Sequence, residues 1–139
     1  MIDFYERLKD FLNENDHFCK ENGMRIVEIK EGSGIAELEL DTRHFNGSGN
    51  VQGGVFFTLA DFSCAAAMNS FGVWAVSMSS SVSFIRSVRE KQCIRAQSVL
   101  VHRGRKTAVF DVNVTDSAGT LLLHGTITSF LSDKPIEFS

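Results

Sequence analysis

Between His44 and Ile85 the chain has no Glu, no Lys and no Arg, and a single Asp, Asp61, set in the apolar run GGVFFTLADFSCAAAMNSFG. A stretch so poor in charge belongs inside a fold. A carboxylate carried into it loses its hydration unless it gains partners or a proton. Asp61 therefore has two readings: an acid satisfied by nearby hydroxyls such as Thr58 and Ser63, or a catalytic carboxylate whose perturbed setting suits it to take a proton.

Other scarcities exclude whole classes. One proline in 139 residues leaves no Pro-rich linker and no disordered tract. The three cysteines, Cys19, Cys64 and Cys93, are odd in number and none sits in a C-x-x-C pair. That excludes a disulfide framework and points to a reduced cytoplasm. The opening residues MIDFYERLKD carry acids where a secretory signal has basic residues followed by an apolar core. Val55 to Met68, the longest apolar stretch, is too short to span a bilayer and contains Asp61, so no membrane segment is expected. The four histidines have no metal-ligand spacing with the cysteines, and no metal is expected. The glycine-rich HFNGSGNVQGG lacks the Gly-Lys-Ser/Thr ending of a phosphate loop.

The chain does have apolar content, 43% hydrophobic residues with twelve Phe, enough for one domain over residues 1–139. Ile2, Tyr5, Leu8 and Leu12 recur at helical spacing among charges, predicting an amphipathic first helix that stops before Gly23. Arg25 to Lys30 and Ile35 to Leu40 alternate across Glu31-Gly32-Ser33-Gly34, the composition of a hairpin. His44 to Gly54 reads as a loop entering an almost wholly apolar helix to about Ser70, which protein should surround. Four β segments follow, VWAVSMSSSVSFIR, QCIRAQSVLVH, KTAVFDVNVT and TLLLHGTITSFL. The order α-β-β-α-β-β-β-β predicts an α+β fold, an antiparallel sheet curled around the apolar helix.

The net charge of −3 argues against nucleic acid as a partner. Yet Arg86, Arg89, Lys91, Arg95, Arg103, Arg105 and Lys106 stand against Glu90 alone, either a site for a small polyanion or ordinary strand edges. At the start of the apolar helix, Gln52-Gly53-Gly54 offers backbone N–H groups and the positive end of the helix dipole to a carbonyl that becomes an oxyanion. Asp61 comes eight residues after Gly53, over two turns along the same helix, a spacing that allows the two to meet at one substrate if two such helices pack side by side in a dimer.

The segment HFNGSGNVQGGVFFTLADFSCAAAMNS, with SFIR and HRGRKT further on, resembles the PaaI-like (phenylacetate-degradation) family of hotdog-fold acyl-CoA thioesterases, and the likeness spans nearly the whole domain. The resemblance implies a hotdog fold, hydrolysis of an acyl- or aryl-acyl-coenzyme A thioester, no cofactor beyond the coenzyme A of the substrate, and a homodimer or dimer of dimers with shared sites. It implies roles for Asp61 as base or nucleophile, for the Gly53 N–H as carbonyl receptor, for Asn46 and Gln52 as polarising groups, and for Ser77 in orienting water. Gln52 stands where the family usually has His, and cannot carry a proton near neutral pH. Ser79 and Ser81 lie two and four residues beyond Ser77, at alternating positions that put all three on one strand face. Gly54, Arg103, Gly104, Arg105 and Lys106 would bind substrate, the last four in the HRGRKT turn, where Arg103, Arg105 and Lys106 would meet coenzyme A phosphates. A non-catalytic acyl-CoA binder is the rival reading; a dehydratase would need a His where Gln52 stands. Phe56, Phe57, Phe62, Met68, Phe71 and Met78 are either an acyl pocket or plain core.

Overall fold

The computed structural model describes residues 3–138. The first predicted helix is two. Helix α1 (Phe4–Asn15) starts at Asp3, whose carboxylate accepts the Glu6 N–H at 2.9 Å. It stops at Asp16, whose own N–H closes on the Leu12 carbonyl while its side chain caps helix α2 (His17–Glu21) through the Cys19 N–H at 3.0 Å. One residue ends one helix and begins the next, a break that apolar spacing does not register. Ile2, counted in the predicted helix, lies outside the described residues.

Strands β1 (Met24–Lys30) and β2 (Ser33–Glu39) form the expected hairpin, closed by Glu31 and by Gly32 at φ 75°. The apolar helix is α3 (Gly53–Asn69), and β3 (Val73–Phe84), β4 (Cys93–Arg103), β5 (Thr107–Thr115) and β6 (Leu121–Pro135) follow. All pairings are antiparallel, in the order β1-β2-β4-β5-β6-β3. The sheet packs on α3 with Ile94, Ala96, Phe110, Val112, Leu123 and Ile127, all fully buried. Helix and sheet come closest at Gly34, where a Cβ would collide with the Ser63 carbonyl and the Ala66 methyl. This is the α+β arrangement expected from the element order, and the hotdog fold that the resemblance implies.

The prediction that protein surrounds α3 is corrected in one lane. Gly54 is exposed, and Phe57, Thr58, Asp61 and Ala65 are only partly buried. These positions recur every three or four residues, one stripe of a helix. The sheet, with α1 and α2, covers the rest of its circumference and leaves that stripe open. Beside it β3 is an edge strand, with Val76, Met78 and Phe84 exposed, as is Ile85 just beyond it.

Candidate active site

The loop before α3 is held at many points. Asn46 folds it through its Oδ1, which accepts from the Ser48 N–H, the Ser48 hydroxyl and the Asn50 N–H at 2.8 to 3.1 Å. Arg89 pins it from outside, donating to the Asn50 Oδ1 and the Ser48 carbonyl, each at 3.3 Å. His44, 1% exposed, anchors its base: Nδ1 accepts the Asp41 N–H at 2.9 Å, which puts the proton on Nε2, facing the Asn22 carbonyl at 2.8 Å. His44 is thus structural, a role that its lone place in the sequence did not reveal.

Gln52 caps α3 with its own side chain, Oε1 accepting the Gly54 N–H. The Gly54 donor is thereby used within the chain, and the Gln52 amide nitrogen and the Gly53 N–H are the donors left at this helix start. Gly53 opens on a hollow of about 490 Å³ that it shares with Asn50, Phe56, Phe84, Ile85 and Arg86. Phe84 was not singled out from sequence, and Arg86 only as one of a run of basic residues; their place beside Gly53 comes from β3 passing the helix start. The Asn46 amide nitrogen remains for a ligand, since its oxygen is committed to the loop.

Asp61 lies in the open lane. Its carboxylate accepts the Ser77 hydroxyl at 3.0 Å; Ser63, the sequence alternative, instead donates to the Ala60 carbonyl and meets Ser98, each at 2.7 Å. Burial pushes the Asp61 carboxyl above its ordinary proton affinity, the Ser77 bond opposes this, and the charge of Asp16 adds to the rise. A half-buried acid with one partner keeps its proton to higher pH and is a stronger base once ionised.

The expectation that Ser77, Ser79 and Ser81 share a face is overturned. Ser77 pairs with Ser129, but Ser79 pairs with Thr128 and Ser81 with Thr126, so Met78 is an extra residue in β3. The bulge turns Ser77 inward with the buried Ser129 and sends Ser79 and Ser81 to the outer face. Only Ser77 of the three reaches Asp61. The bulge also leaves Met78 59% exposed, while Phe56, Phe62 and Met68 are core at 2% each. Of the candidate pocket residues, Phe57 and Phe71 are half-buried.

The cations that cluster in sequence disperse in space. Arg95 pairs with Glu37 at 3.4 Å, Arg89 holds the loop, and the Arg103 guanidinium lies 4.1 Å from the centre of the Phe71 ring. Gly104 closes its turn through an N–H to the Thr107 carbonyl at 2.8 Å, and Arg105 and Lys106 border a separate hollow of about 490 Å³ with Phe130 and Asp133. Cys64 is fully buried, and burial, with the nearby Asp61 charge, pushes its thiol up to about 12; it is a hydrophobe rather than a nucleophile. Among the described residues no three His, Cys, Asp or Glu side chains are grouped to hold a metal ion, and no helix is long and apolar enough to cross a membrane.

A family model described as the thioesterase superfamily matches residues 48–123, from the loop through β6's start. A protein of Archaeoglobus fulgidus whose name gives only the general class of esterase is 33% identical over 132 residues, 94% of this chain and 86% of its own. The acyl-coenzyme A thioesterase PaaI of Escherichia coli is 30% identical over 103 residues, 74% of each chain. The solved structure of E. coli PaaI, from the phenylacetic acid degradation operon, superposes with a TM-score of 0.90 over 96% of both chains at 25% identity. A Streptococcus mutans protein solved with acetyl CoA bound is 29% identical, with a TM-score of 0.76 over 81% of this chain and 91% of its own.

Proposed function

The chain belongs to the thioesterase superfamily, and from that premise we propose that it hydrolyses an acyl-coenzyme A thioester to the free acid and coenzyme A. The observation that carries the reading is Asp61, the lone carboxylate of residues 44–85, half-buried on α3 and held by Ser77. Either it takes a proton from water as the oxygen adds to the thioester carbon, or it attacks that carbon itself and water then opens the mixed anhydride. In both routes the carbonyl oxygen becomes an oxyanion, and the Gly53 N–H at the positive end of α3 receives it, with the amide nitrogens of Asn46 and Gln52 as assisting donors. Collapse of that oxyanion breaks the C–S bond and coenzyme A leaves as a thiolate, which in the second route precedes the opening of the anhydride by water. A thiol of pKa about 8.5 needs little protonation to depart, so Gln52 suffices where a proton-carrying His is commoner.

Gly53 and Asp61 are eight residues apart, about 12 Å along one helix. We therefore place Asp61 and Ser77 of one protomer opposite Gly53 and Asn46 of a second, in a homodimer or dimer of dimers. The open lane of α3 and the exposed apolar edge of β3 support this arrangement. Arg105 and Lys106 are the proposed contacts to coenzyme A phosphates, and the three free cysteines suit a reduced cytoplasm. The test is thiol release from acetyl-, hexanoyl-, phenylacetyl- and long-chain acyl-CoA. Turnover of any of them supports hydrolysis; tight binding of all without thiol release makes the protein a binder instead.

A further inference from the structure

Thr58 and Ser63, the two hydroxyls that the sequence places near Asp61, take no part in holding it. Ser63 donates to the Ala60 carbonyl at 2.7 Å, and Ser70, at the end of α3, donates to the Ala67 carbonyl at 2.6 Å. Bonding back to a carbonyl one turn earlier is the usual fate of a hydroxyl on a helix. Thr58 departs from it. Among the described residues its hydroxyl has no hydrogen-bond partner, and none of their buried polar side-chain atoms lacks one, so the Thr58 oxygen is open to solvent. It faces the space between α3 and α2, beside Gln52 and Gly54.

Thr58 lies three residues before Asp61 in the same open lane, and the Cβ atoms of such a pair are about 5–6 Å apart. Helical side chains lean toward the N-terminus, so the Asp61 carboxylate tilts over the turn that carries Thr58. Its Oδ1 accepts the Ser77 hydroxyl at 3.0 Å, and its Oδ2 has no partner among the described residues. A hydroxyl and a carboxylate oxygen at this spacing, not bonded to each other, are bridged by a single water, since two hydrogen bonds of about 2.8 Å span the gap.

Resting on the hydrolase reading above, we propose that Thr58 holds the reacting water against Asp61. The water points one O–H at Asp61 Oδ2 and the other at the Thr58 oxygen, which leaves a lone pair for the thioester carbon. The new C–O bond forms as one O–H bond breaks and its proton passes to Asp61. The C–S bond breaks as the oxyanion collapses, and the Asp61 proton goes to the departing thiolate, which leaves the acid, the thiol and the free carboxylate. The two hydroxyls thus divide the work: Ser77 fixes the base and Thr58 fixes the water.

The test compares Thr58→Val, which keeps the branched shape and removes the hydroxyl, with Thr58→Ser, which keeps the hydroxyl, both in the full chain. On whichever acyl-CoA the wild type turns over fastest, Thr58→Val should lower kcat about tenfold, the scale of one hydrogen bond lost from a reacting group, with KM within about twofold. Thr58→Ser should keep most of the wild-type kcat. Added hydroxylamine separates a hold on water from a structural role, because it competes with water for the thioester carbon and gives a hydroxamate in place of the acid. Loss of the water's support should raise the ratio of hydroxamate to acid several-fold in Thr58→Val alone, whereas a damaged fold lowers both products together. A wild-type rate in Thr58→Val, a loss that Thr58→Ser shares, or an unchanged product ratio would overturn the role of Thr58 while hydrolysis stands. Oxygen-18 from labelled water found in Asp61 after a single turnover would overturn it too, since Asp61 and not water would then have met the thioester. A wild type that releases no thiol from any acyl-CoA overturns both this role and the hydrolase reading.

Discussion

At the head of α3 the Gly53 backbone is positioned by Asn46, Gln52, His44 and Arg89, four side chains from three segments bonded mostly to main chain. Two turns further on, Asp61 has one hydrogen bond, from Ser77, and is held in surroundings that disfavour its charge. The donor is a backbone group whose geometry many contacts share, so the loss of any one support is felt first in stability. The acid is a single side chain that the fold tolerates rather than needs. Its loss should abolish chemistry and relieve the fold.

Asp61→Asn is the sharpest way to break the comparison. It keeps the shape and should lower kcat/KM by at least about a hundredfold, the usual scale for removing a general base. The same substitution should raise the thermal midpoint at neutral pH. The sign follows from the proton balance: the folded carboxyl binds its proton more tightly than the unfolded one, so the wild type loses stability as pH rises from the unfolded toward the folded pKa. The Asn variant lacks that loss, and the two midpoints should converge in acid. A variant that is both inactive and less stable would make Asp61 a structural acid.

Mixing inactive subunits tests whether the two ends meet across protomers. Gly53→Val blocks approach to the N–H, and its new Cβ would lie 3.2 Å from the Phe84 ring. Exchanged with Asp61→Asn subunits, it should restore up to about a quarter of wild-type activity, one intact site in the half of the dimers that are mixed. Absence of recovery after verified exchange would put both ends in one chain.

His44→Ala probes the donor end. It leaves the Asp41 N–H and the Asn22 carbonyl without their buried partner and should cost about 2–4 kcal/mol in denaturant unfolding. Activity at low temperature should fall far less than in Asp61→Asn. Equal losses would erase the proposed difference between the two ends.

Much of this layout is legible from residue order. Alternation in KTAVFDVNVT announces β5, because one face of that strand packs on α3 and the other does not. Charge depletion announces α3 and isolates Asp61. What stays hidden depends on pairing between distant segments. The Met78 bulge exists only against β6, so no pattern within SMSSSVSF separates Ser77 from Ser79 and Ser81. Asp16 hides the break between α1 and α2 because both its capping bonds, N–H to the Leu12 carbonyl and carboxylate to the Cys19 N–H, end on main-chain groups that apolar spacing does not register. The basic residues, close in sequence, part company because Arg86, Arg89 and Lys91 precede β4 and Arg95 sits near its start, whereas Arg103, Arg105 and Lys106 lie at its far end, a strand length away.

Ser77→Ala sharpens the acid end. Its hydroxyl lowers the proton affinity of Asp61, so removing it should move the acid limb of the kcat/KM profile to higher pH. Loss of one hydrogen bond to the reacting carboxylate should cost about tenfold at the plateau. Ser79→Ala, on the outer face, should leave the acid limb in place. Matching shifts in both would mean that the bulge does not separate them.

The smallest effect is expected at the turn after β4. Arg103 is stacked on Phe71, whereas Arg105 and Lys106 are exposed beside their own hollow. Phosphate contacts far from the thioester hold ground state and transition state alike, so they set KM and leave kcat nearly untouched. Arg105→Ala with Lys106→Ala should therefore raise KM for acyl-CoA several-fold at low ionic strength, with kcat within about twofold, and the rise should shrink as salt screens the wild type. The same double substitution should leave KM for an acyl-pantetheine, which lacks the nucleotide phosphates, where it was. If KM rises equally for both substrates, the turn acts on the pantetheine or through the fold; if it rises for neither, Arg86, beside Gly53, becomes the cation to test.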